Sequence, residues 1–240
     1  MNIIVIGGSG GIGGAIVEAC CNHYPKANIY ATYCLNPPIM IENDVKWIKV
    51  NLHSEDEIQK FAASFDSVNI LINAAGILHS NNVMPEKSLN EFDSDFFTQN
   101  IMTNTLPTIL LAKHFFNALK SNQLQANMVN HFIVISAKIG SIDDNKSGGW
   151  LSYRTSKAAL NMAVKTLSIE WQRRLPHCCV TLFHPGTTDT NLSKPFQKRL
   201  PKDQLHSSGY TAIALLKLMK TLTPNESGGF YSYDGTALPW

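Results

Sequence analysis

The chain has no long apolar run and no excess of charge of either sign. Its 240 residues include 20 Lys and Arg against 18 Asp and Glu, a formal net charge of +2. No apolar stretch approaches the ~20 residues that a membrane-spanning helix needs, and the basic residues are scattered along the chain. The first apolar run, Ile3 to Ile6, stops at Gly7-Gly8 and is too short for a secretory signal. We therefore expect neither a membrane partner nor a nucleic-acid partner.

Cysteine is also scarce, and the number of cysteines is odd. The five are Cys20, Cys21, Cys34, Cys178 and Cys179. Such a set is not a disulfide framework, so we expect reduced thiols and a cytoplasmic protein. His177 and His184 flank the last pair, but neighbouring residues of a strand point to opposite faces. Because the spacing matches no zinc pattern, buried small residues are the better interpretation of Cys178-Cys179, and no metal site is predicted.

What the sequence does have is a regular alternation of strands and helices. With 44% hydrophobic residues and no linker, repeat or low-complexity run, residues 1–240 are interpreted as a single domain. The predicted strands are Asn2 to Ile6, Asn28 to Thr32, Val45 to Val50, Val68 to Ile72, His131 to Ile135, Cys178 to Phe183 and Phe230 to Tyr233. The predicted helices are Ile12 to Cys21, Ser54 to Ser64, Asp93 to Leu119, Ser152 to Arg173 and Ser207 to Thr221. This order predicts an α/β fold with a doubly wound parallel sheet of about seven strands, a Rossmann fold.

A glycine-rich turn follows the first predicted strand. Two glycine spacings, G-x-G-x-x-G and G-x-x-x-G-x-G, overlap in Gly7-Gly8-Ser9-Gly10-Gly11-Ile12-Gly13. Glycines permit a tight turn and a close approach of the backbone, and the helix that follows directs its N-terminus at a pyrophosphate. A flexible turn without a ligand is the alternative for a lone motif. The position between a strand and a helix favours dinucleotide binding.

The residues after the second predicted strand bear on which dinucleotide is bound. An acidic residue there accepts a hydrogen bond from the ribose of NAD, whereas a basic residue holds the 2′-phosphate of NADP. The stretch Thr32-Tyr33-Cys34-Leu35-Asn36 has neither, and no acidic residue lies between Glu18 and Glu42. The missing acid favours NADP(H) over NAD(H). Thr32, Tyr33, Asn36 or Lys26 would then have to hold the 2′-phosphate.

Three residues have side chains suited to proton transfer. Tyr153 and Lys157 are four apart on a predicted helix and so share one face. A cation beside a phenol stabilises the phenolate and lowers its pKa from about 10, and Ser136 after the fifth predicted strand supplies a hydroxyl. Each residue alone has a structural alternative: a packed tyrosine, a surface lysine or a serine at a strand end. Together, behind a dinucleotide turn, they indicate a redox reaction at a C–O bond.

These segments together resemble the short-chain dehydrogenase/reductase family. The shared motifs are the glycine turn, the N-A-A-G segment Asn73-Ala74-Ala75-Gly76, Ser136, the pair Tyr153 and Lys157, and Pro185-Gly186 with Thr190. The resemblance runs the length of the chain, and several motifs in the right order are more specific than any one. Pro85 to Leu89, His184 to Thr190 and Tyr233 to Trp240 are similar to the C-factor-like (C-signal) subgroup.

The resemblance implies an NAD(P)(H)-dependent oxidoreductase acting on a small carbonyl or alcohol substrate. Tyr153 is expected to be the general acid or base, Lys157 to lower the pKa of Tyr153 and bind the nicotinamide ribose, and Ser136 to donate to the substrate oxygen. Asn100 is expected to hold a water that links Lys157 to solvent. The implied cofactor-binding residues are Gly7, Ser9, Gly10, Gly11, Ile12, Gly13, Thr32, Tyr33, Asn51, Leu52, Asn73, Ala74, Ala75, Gly76, Tyr153, Lys157, Pro185, Gly186, Thr187, Thr188 and Thr190.

Some expectations stay open at the level of sequence. Family members often pair through long helices, so the resemblance implies a homodimer or homotetramer. The subgroup also implies an alternative function, a dinucleotide-binding signalling or sensor protein with little or no turnover. Residues Asn191 to Pro201 have no apolar period, so they form either a substrate-covering lid or a surface loop.

The sequence departs from the family pattern at three positions. Ile6 stands where a threonine commonly precedes the glycine turn, and Asn51 replaces an aspartate expected to contact adenine. Cys34 occupies a position where sequences resembling this one often carry arginine, which bears directly on the preference for NADP.

Overall fold

The computed structural model describes residues 1–35, 44–80, 83–120, 129–201 and 204–240. The strands are β1 (Asn2–Ile6), β2 (Asn28–Tyr33), β3 (Val45–Lys49), β4 (Ile70–Asn73), β5 (Asn130–Ile135), β6 (Cys178–His184), β7 (Thr187–Thr188), β8 (Leu205–His206) and β9 (Gly229–Ser232). The α-helices are α1 (Gly11–His23), α2 (Glu55–Ala63), α3 (Ser94–Asn104), α4 (Leu106–Lys120), α5 (Leu151–Arg174) and α6 (Ser208–Met219). Short 3-10 helices cover Leu89–Glu91, Lys138–Gly140, Lys194–Arg199 and Pro224–Glu226.

Seven of these strands form one parallel sheet, as the alternation of elements predicted. The strand order is β3-β2-β1-β4-β5-β6-β9, and every pairing in it is parallel. Ile4 of β1 lies between Tyr30 of β2 and Leu71 of β4. The chain runs outward from β1 to β3 and then returns to place β4 on the other side of β1. This reversal is the switch point at which such sheets bind ligands.

Helices cover both faces of the sheet and create two apolar layers. Ile4 and Ile6 of β1 point towards α2, α4 and α5, where Phe115 is among the fully buried side chains. Ile3 and Val5 point the other way, into a layer closed by α1 and α6. Because both faces are buried, the strands read as continuous apolar runs. Cys178 and Cys179 lie in opposite layers, as expected for neighbours in a strand.

The helix predicted over Asp93 to Leu119 is wrong as a single element. The structure ends α3 at Asn104, places Thr105 outside the helices and starts α4 at Leu106. Pro107 explains the break, because proline has no N–H to donate and its ring clashes with the carbonyl four residues earlier. At this break, the hydroxyl of Thr105 donates a hydrogen bond to the backbone oxygen of Ser156, at 2.8 Å. The small parallel pair β7–β8 was not predicted.

Candidate functional site

The glycine turn closes tightly at the carboxyl end of β1. Gly7 has a φ of +73°, and its oxygen accepts from Gly10 N at 3.0 Å. A Cβ added to Gly13 would lie 2.1 Å from that same oxygen, so a side chain there would force the turn open. The turn leaves the first backbone N–H groups of α1 without intrahelical partners. Such a helix N-terminus fits a pyrophosphate.

Residues that follow β4 and β7 pack against this turn. A Cβ on Gly7 would lie 3.0 Å from Ala75 N, and one on Gly11 would lie 2.6 Å from Thr190 Cγ2. The sequence-predicted residues that line the resulting cleft are Ser9, Gly10, Gly11, Ile12, Gly13, Ala74, Ala75, Gly76, Ser136, Tyr153, Lys157, Pro185, Gly186, Thr187, Thr188 and Thr190. The structure therefore gathers residues from five separate strand ends around one cleft of about 1170 Å³.

Several predicted cofactor residues support the cleft without lining it. Thr32 is buried, and its Oγ1 accepts from Gly7 N at 2.9 Å, which ties the turn to β2. Asn73 donates through Nδ2 to Thr108 Oγ1 at 2.8 Å and accepts at Oδ1 from Ala75 N at 3.1 Å. Both side chains shape the backbone that faces the cleft.

Asn51, which was expected to contact adenine, forms hydrogen bonds with nearby residues of its own loop and helix. Asn51 Oδ1 accepts from His53 N at 3.0 Å, and Asn51 N donates to the Glu57 carboxylate at 2.8 Å. Leu52 packs against the apolar layer that contains Ile4 and Ile6 of β1. The predicted cofactor residues that do not line the cleft include Asn51, Leu52, Gly7 and Tyr33. Cys34 is an exposed thiol just after β2. Asn36, one of the groups considered for the 2′-phosphate, lies outside the described residues.

Tyr153 and Lys157 sit on one buried face of α5. Tyr153 is 7% exposed and Lys157 4%, and Lys157 Nζ lies 5.8 Å from the centroid of the tyrosine ring. Nζ also donates to Ile135 O at 3.2 Å. Burial raises the pKa of Tyr153 above its ordinary value and lowers the pKa of Lys157 to about 8. The lowering expected for Tyr153 is not found, because burial outweighs a cation at this distance.

Ser136 follows β5 at the wall opposite the glycine turn. Its N donates to Phe183 O at 2.8 Å, and its Oγ donates to Asn161 Oδ1 at 2.6 Å. Both side chains are buried, at 2% and 3% exposure. Ser136 lines the cleft, and its hydroxyl proton is used in the hydrogen bond to Asn161.

Asn100 and Asn104 have different hydrogen-bond partners. Asn100 is fully buried within α3, where Nδ2 donates to Phe96 O at 3.0 Å and Oδ1 accepts from Asn104 Nδ2 at 3.2 Å. Asn104, at the helix break, binds both the N–H and the carbonyl of Ile77 and donates to Ser156 Oγ at 2.9 Å. A Cβ on Gly76 would lie 3.1 Å from Asn104 Oδ1 and 3.4 Å from Lys157 Nζ.

Asn104 is thus the asparagine beside the candidate catalytic lysine, and the sequence reasoning missed it. The signal that could have found it is Pro107, which marks the end of a helix inside an otherwise continuous pattern. Asn100 is hydrogen-bonded to Asn104.

The far end of the cleft is an apolar wall that includes aromatic rings. Trp150 precedes α5 with a φ of 54°, a left-handed conformation that a bulky residue adopts at a cost of about 1–2 kcal/mol. Its ring lies 6.4 Å from the Tyr153 ring and 4.8 Å from Phe196. Leu78, Met84, Ile139 and Leu192 also line the cleft. Phe196 belongs to the segment interpreted as a lid or a surface loop, and here it faces the cleft.

His184 is a further lining residue that the sequence analysis did not assign. It ends β6, directly before Pro185, and burial is the main reason that its pKa falls to about 4. The imidazole is therefore neutral near pH 7. Across the same part of the cleft, Lys138 pairs with Asp144 at 3.2 Å.

The described residues contain neither a metal-binding cluster nor a membrane-spanning helix. Over the described ranges, His, Cys, Asp and Glu side chains nowhere come together in a group of three that could hold a metal ion. Within those same ranges, every helix is too short or too polar to cross a membrane.

The fold and the comparisons with known proteins define the class to which the chain belongs. A family model described as short chain dehydrogenase matches residues 1–201, and the chain belongs to this family. One relative, 1-hydroxy-2-glutathionyl-2-methyl-3-butene dehydrogenase of Rhodococcus sp., is 30% identical over 192 residues, which are 80% of this chain and 78% of that protein. C-signal of Myxococcus xanthus is 30% identical over 174 residues, which are 72% of this chain and 93% of that protein.

Solved structures share the fold along the whole chain. Carbonyl reductase Sniffer of D. melanogaster superposes with a TM-score of 0.83 at 24% identity, covering 100% of this chain and 99% of that one. An NADPH-bound carbonyl reductase from chicken fatty liver gives a TM-score of 0.84 at 24% identity, covering 100% of this chain and 98% of that one. The chain is therefore a short chain dehydrogenase family oxidoreductase with a Rossmann fold.

Proposed function

We propose that the protein is an NADP(H)-dependent oxidoreductase that interconverts a carbonyl compound and its alcohol. The observation that carries this proposal is the placement of Tyr153, Lys157 and Ser136 on the same cleft as the glycine turn. A nicotinamide dinucleotide supplies or takes up the hydride when bound, and the side chains of this chain orient the substrate and move the proton.

Tyr153 is the proton donor in the direction of reduction. Because burial raises its pKa, the phenol keeps its proton at neutral pH and can protonate the oxygen of the substrate as hydride reaches the carbon. Lys157, with a pKa of about 8, is mostly protonated at pH 7. Its positive charge stabilises the phenolate that Tyr153 leaves behind, and its proton refills Tyr153.

Asn104, and not Asn100, takes the role of holding the water that links Lys157 to solvent. Its side chain forms hydrogen bonds with Ile77 and Ser156. Asn104 Oδ1 and Lys157 Nζ both lie next to Gly76. A water chain from Lys157 to solvent would start beside this asparagine.

The cofactor would lie along the strand ends in a defined order. The N–H groups at Ser9 to Gly13 would hold the pyrophosphate, Ala74 to Gly76 would face the adenosine ribose, and Pro185 to Thr190 would hold the carboxamide. NADP(H) is preferred over NAD(H), since no acidic residue lies between Glu18 and Glu42 to accept from the ribose hydroxyl. Two structures of the same fold are described as NADPH-bound and NADP-bound.

The substrate is an aromatic or other bulky apolar carbonyl compound. Trp150 and Phe196 form an aromatic corner whose first ring lies 6.4 Å from that of Tyr153. Flat rings bind well between aromatic side chains, with about 0.5–1.5 kcal/mol per pair beyond area burial. Phe196→Ala should therefore lower kcat/KM for an aryl ketone about tenfold while leaving that for acetone unchanged. Equal losses on both ketones would contradict the assignment of this wall.

Exposed apolar side chains and the cysteines bear on the oligomeric state and the cellular location of the protein. Apolar side chains on α3, α4 and α5 are 37–66% exposed: Met102, Ile109, Met162 and Ile169. These exposed apolar side chains support a homodimer or homotetramer formed through these helices. The odd number of cysteines supports a reducing, cytoplasmic location, and residues 1–240 are taken as one domain.

The test of the proposed function is NADPH oxidation by the purified protein with a panel of aryl ketones and aldehydes. Tyr153→Phe should lower kcat by about 10²–10⁴, the range of a lost general acid, with NADPH affinity retained. Tyr231→Phe, outside the cleft, is the matched control and should keep full activity. Tight NADPH binding without turnover in the wild type would point instead to a dinucleotide sensor.

A further inference from the structure

Asn161 continues the line of catalytic side chains on α5. It lies one turn beyond Lys157 and two turns beyond Tyr153, on the same face of the helix. All three side chains are buried. Asn161 is thus built into the buried wall of the site, although neither the family motifs nor the sequence patterns assigned it a role.

The hydrogen bonds of Asn161 are only half satisfied. Its Oδ1 accepts from Ser136 Oγ at 2.6 Å, while Nδ2 is buried without a partner among the described residues. A buried amide N–H left unpaired is rarer and costlier than a buried carbonyl with a free lone pair. The oxygen and nitrogen of an asparagine amide exchange places by a half-turn about the last side-chain bond. After this half-turn, Nδ2 would donate to Ser136 Oγ.

The two orientations have opposite consequences for Ser136. With Oδ1 facing it, the serine proton is used within the protein and cannot reach a substrate oxygen. With Nδ2 facing it, the serine oxygen accepts one hydrogen bond and its own proton is free to point into the cleft. A hydroxyl that accepts in this way is also polarised as a donor, which strengthens its bond to a developing alkoxide.

We propose that Asn161 is a positioning residue whose amide presents Nδ2 to Ser136 Oγ and so directs the Ser136 hydroxyl at the substrate oxygen. The inference rests on the proposed carbonyl reduction. Hydride passes from NADPH to the carbonyl carbon, the C=O π electrons go to oxygen, and the proton comes from Tyr153. Ser136 donates a hydrogen bond and keeps its proton throughout, so the products are the alcohol and NADP⁺.

The test uses Asn161→Asp, which preserves shape but can only accept when ionised. The carboxylate should capture the Ser136 proton and lower kcat about tenfold at pH 8, the scale of one hydrogen bond. As the pH falls and the buried carboxyl becomes protonated, its O–H can donate to Ser136, so activity relative to wild type should recover. A side chain that only fills space would show no recovery with pH.

A second variant separates this route from an effect on Lys157. Ser136→Ala should lower kcat about 10²-fold, and adding Asn161→Asp to it should cause no further loss, because the two residues act as a unit. A loss that persists in the Ser136→Ala background, or full activity of Asn161→Asp at every pH, would overturn the proposal.

A spectroscopic readout keeps the inference separate from the proposed function. Nuclear Overhauser effects from the side-chain amide protons of Asn161 to the Cβ protons of Ser136 should be strong in wild-type protein with NADP⁺, because Nδ2 then faces the serine. Their absence overturns the proposal whatever the turnover. If these effects are present but no carbonyl compound is reduced, the orientation stands and the proposed reaction fails.

Discussion

The buried carboxylate of Glu86 accepts hydrogen bonds from both the backbone N–H and the hydroxyl of Ser152, the residue directly before Tyr153. The N–H lies 3.3 Å from each carboxylate oxygen, and the hydroxyl contact is shorter still. Glu86 O also accepts from Trp150 N at 2.5 Å. A single glutamate, 2% exposed, therefore fastens the loop after β4 to the first turn of the helix that carries Tyr153.

Removing this carboxylate should both destabilise the protein and slow the reaction. Glu86→Ala leaves the N–H and hydroxyl of Ser152 without their acceptor, a loss of about 2 kcal/mol, or roughly 4–8 °C in Tm for a chain of this size. Glu86→Gln keeps one acceptor oxygen, so its Tm should lie between those of wild type and Glu86→Ala. Glu170→Ala, an exposed glutamate on α5, is the control. Unchanged Tm and kcat/KM in Glu86→Ala would show that the contact is dispensable.

The pKa of Lys157 predicts an unusual dependence of stability on pH. Folding lowers this pKa from 10.5 to about 8, so between those values the unfolded chain binds more protons than the native protein. Stability contributed by Lys157 must then rise with pH across this window. Below pH 8 both states are protonated, and the buried charge costs on the order of 3 kcal/mol.

The comparison of wild type with Lys157→Met isolates this effect from other titrations. The variant should be the more stable protein at pH 7, and the difference in free energy of unfolding should shrink as the pH rises from 8 to 10. Lys217→Met, an exposed lysine on α6, should show no such trend. A difference between wild type and Lys157→Met that is constant with pH would contradict the burial argument.

Cofactor preference should respond to the thiol at the end of β2. Cys34 is exposed and no acid stands near it in sequence. Cys34→Arg would place a guanidinium where a 2′-phosphate is expected, and a charge-assisted pair should tighten NADPH about tenfold relative to NADH. Thermal stabilisation by each dinucleotide measures this ratio, with Cys34→Ser as the control. An equal gain for both cofactors would place the 2′-phosphate elsewhere.

The exposed apolar side chains of α5 should report on subunit association. Met162 is 66% exposed and Ile169 60%. Met162→Glu would put a charge into an interface formed by this helix and should shift the mass measured by light scattering towards the monomer. Ile213→Glu, at an equally exposed position on α6, should leave the mass unchanged. A monomeric wild type at micromolar concentration would contradict the proposed homodimer or homotetramer.

The sheet and most of the cleft could be predicted because the signals are local. Strands covered on both faces are apolar throughout, and the motifs of parallel sheets follow strand ends, so Gly7, Asn73, Ser136 and Pro185 all fall after predicted strands. Parallel pairing then brings these strand ends together without any further information from the sequence.

The remaining features depend on contacts that are distant in sequence. Glu86 meets Ser152 across 66 residues, and Asn104 meets Ser156 across 52. Neither pair has a local pattern. The pKa of Tyr153 was predicted in the wrong direction because the helix spacing shows the nearby cation but not the depth of burial.

Deuterium transfer tests the proposed reaction most directly. NADPH carrying deuterium at both C4 positions is incubated with the protein and an aryl ketone, and the alcohol is analysed by mass spectrometry and proton NMR. With wild-type protein the alcohol should carry one deuterium on the carbinol carbon, and Tyr153→Phe should lower the rate by about 10²–10⁴. An alcohol without deuterium, or equal rates for the two proteins, would contradict hydride transfer with Tyr153 as the proton donor.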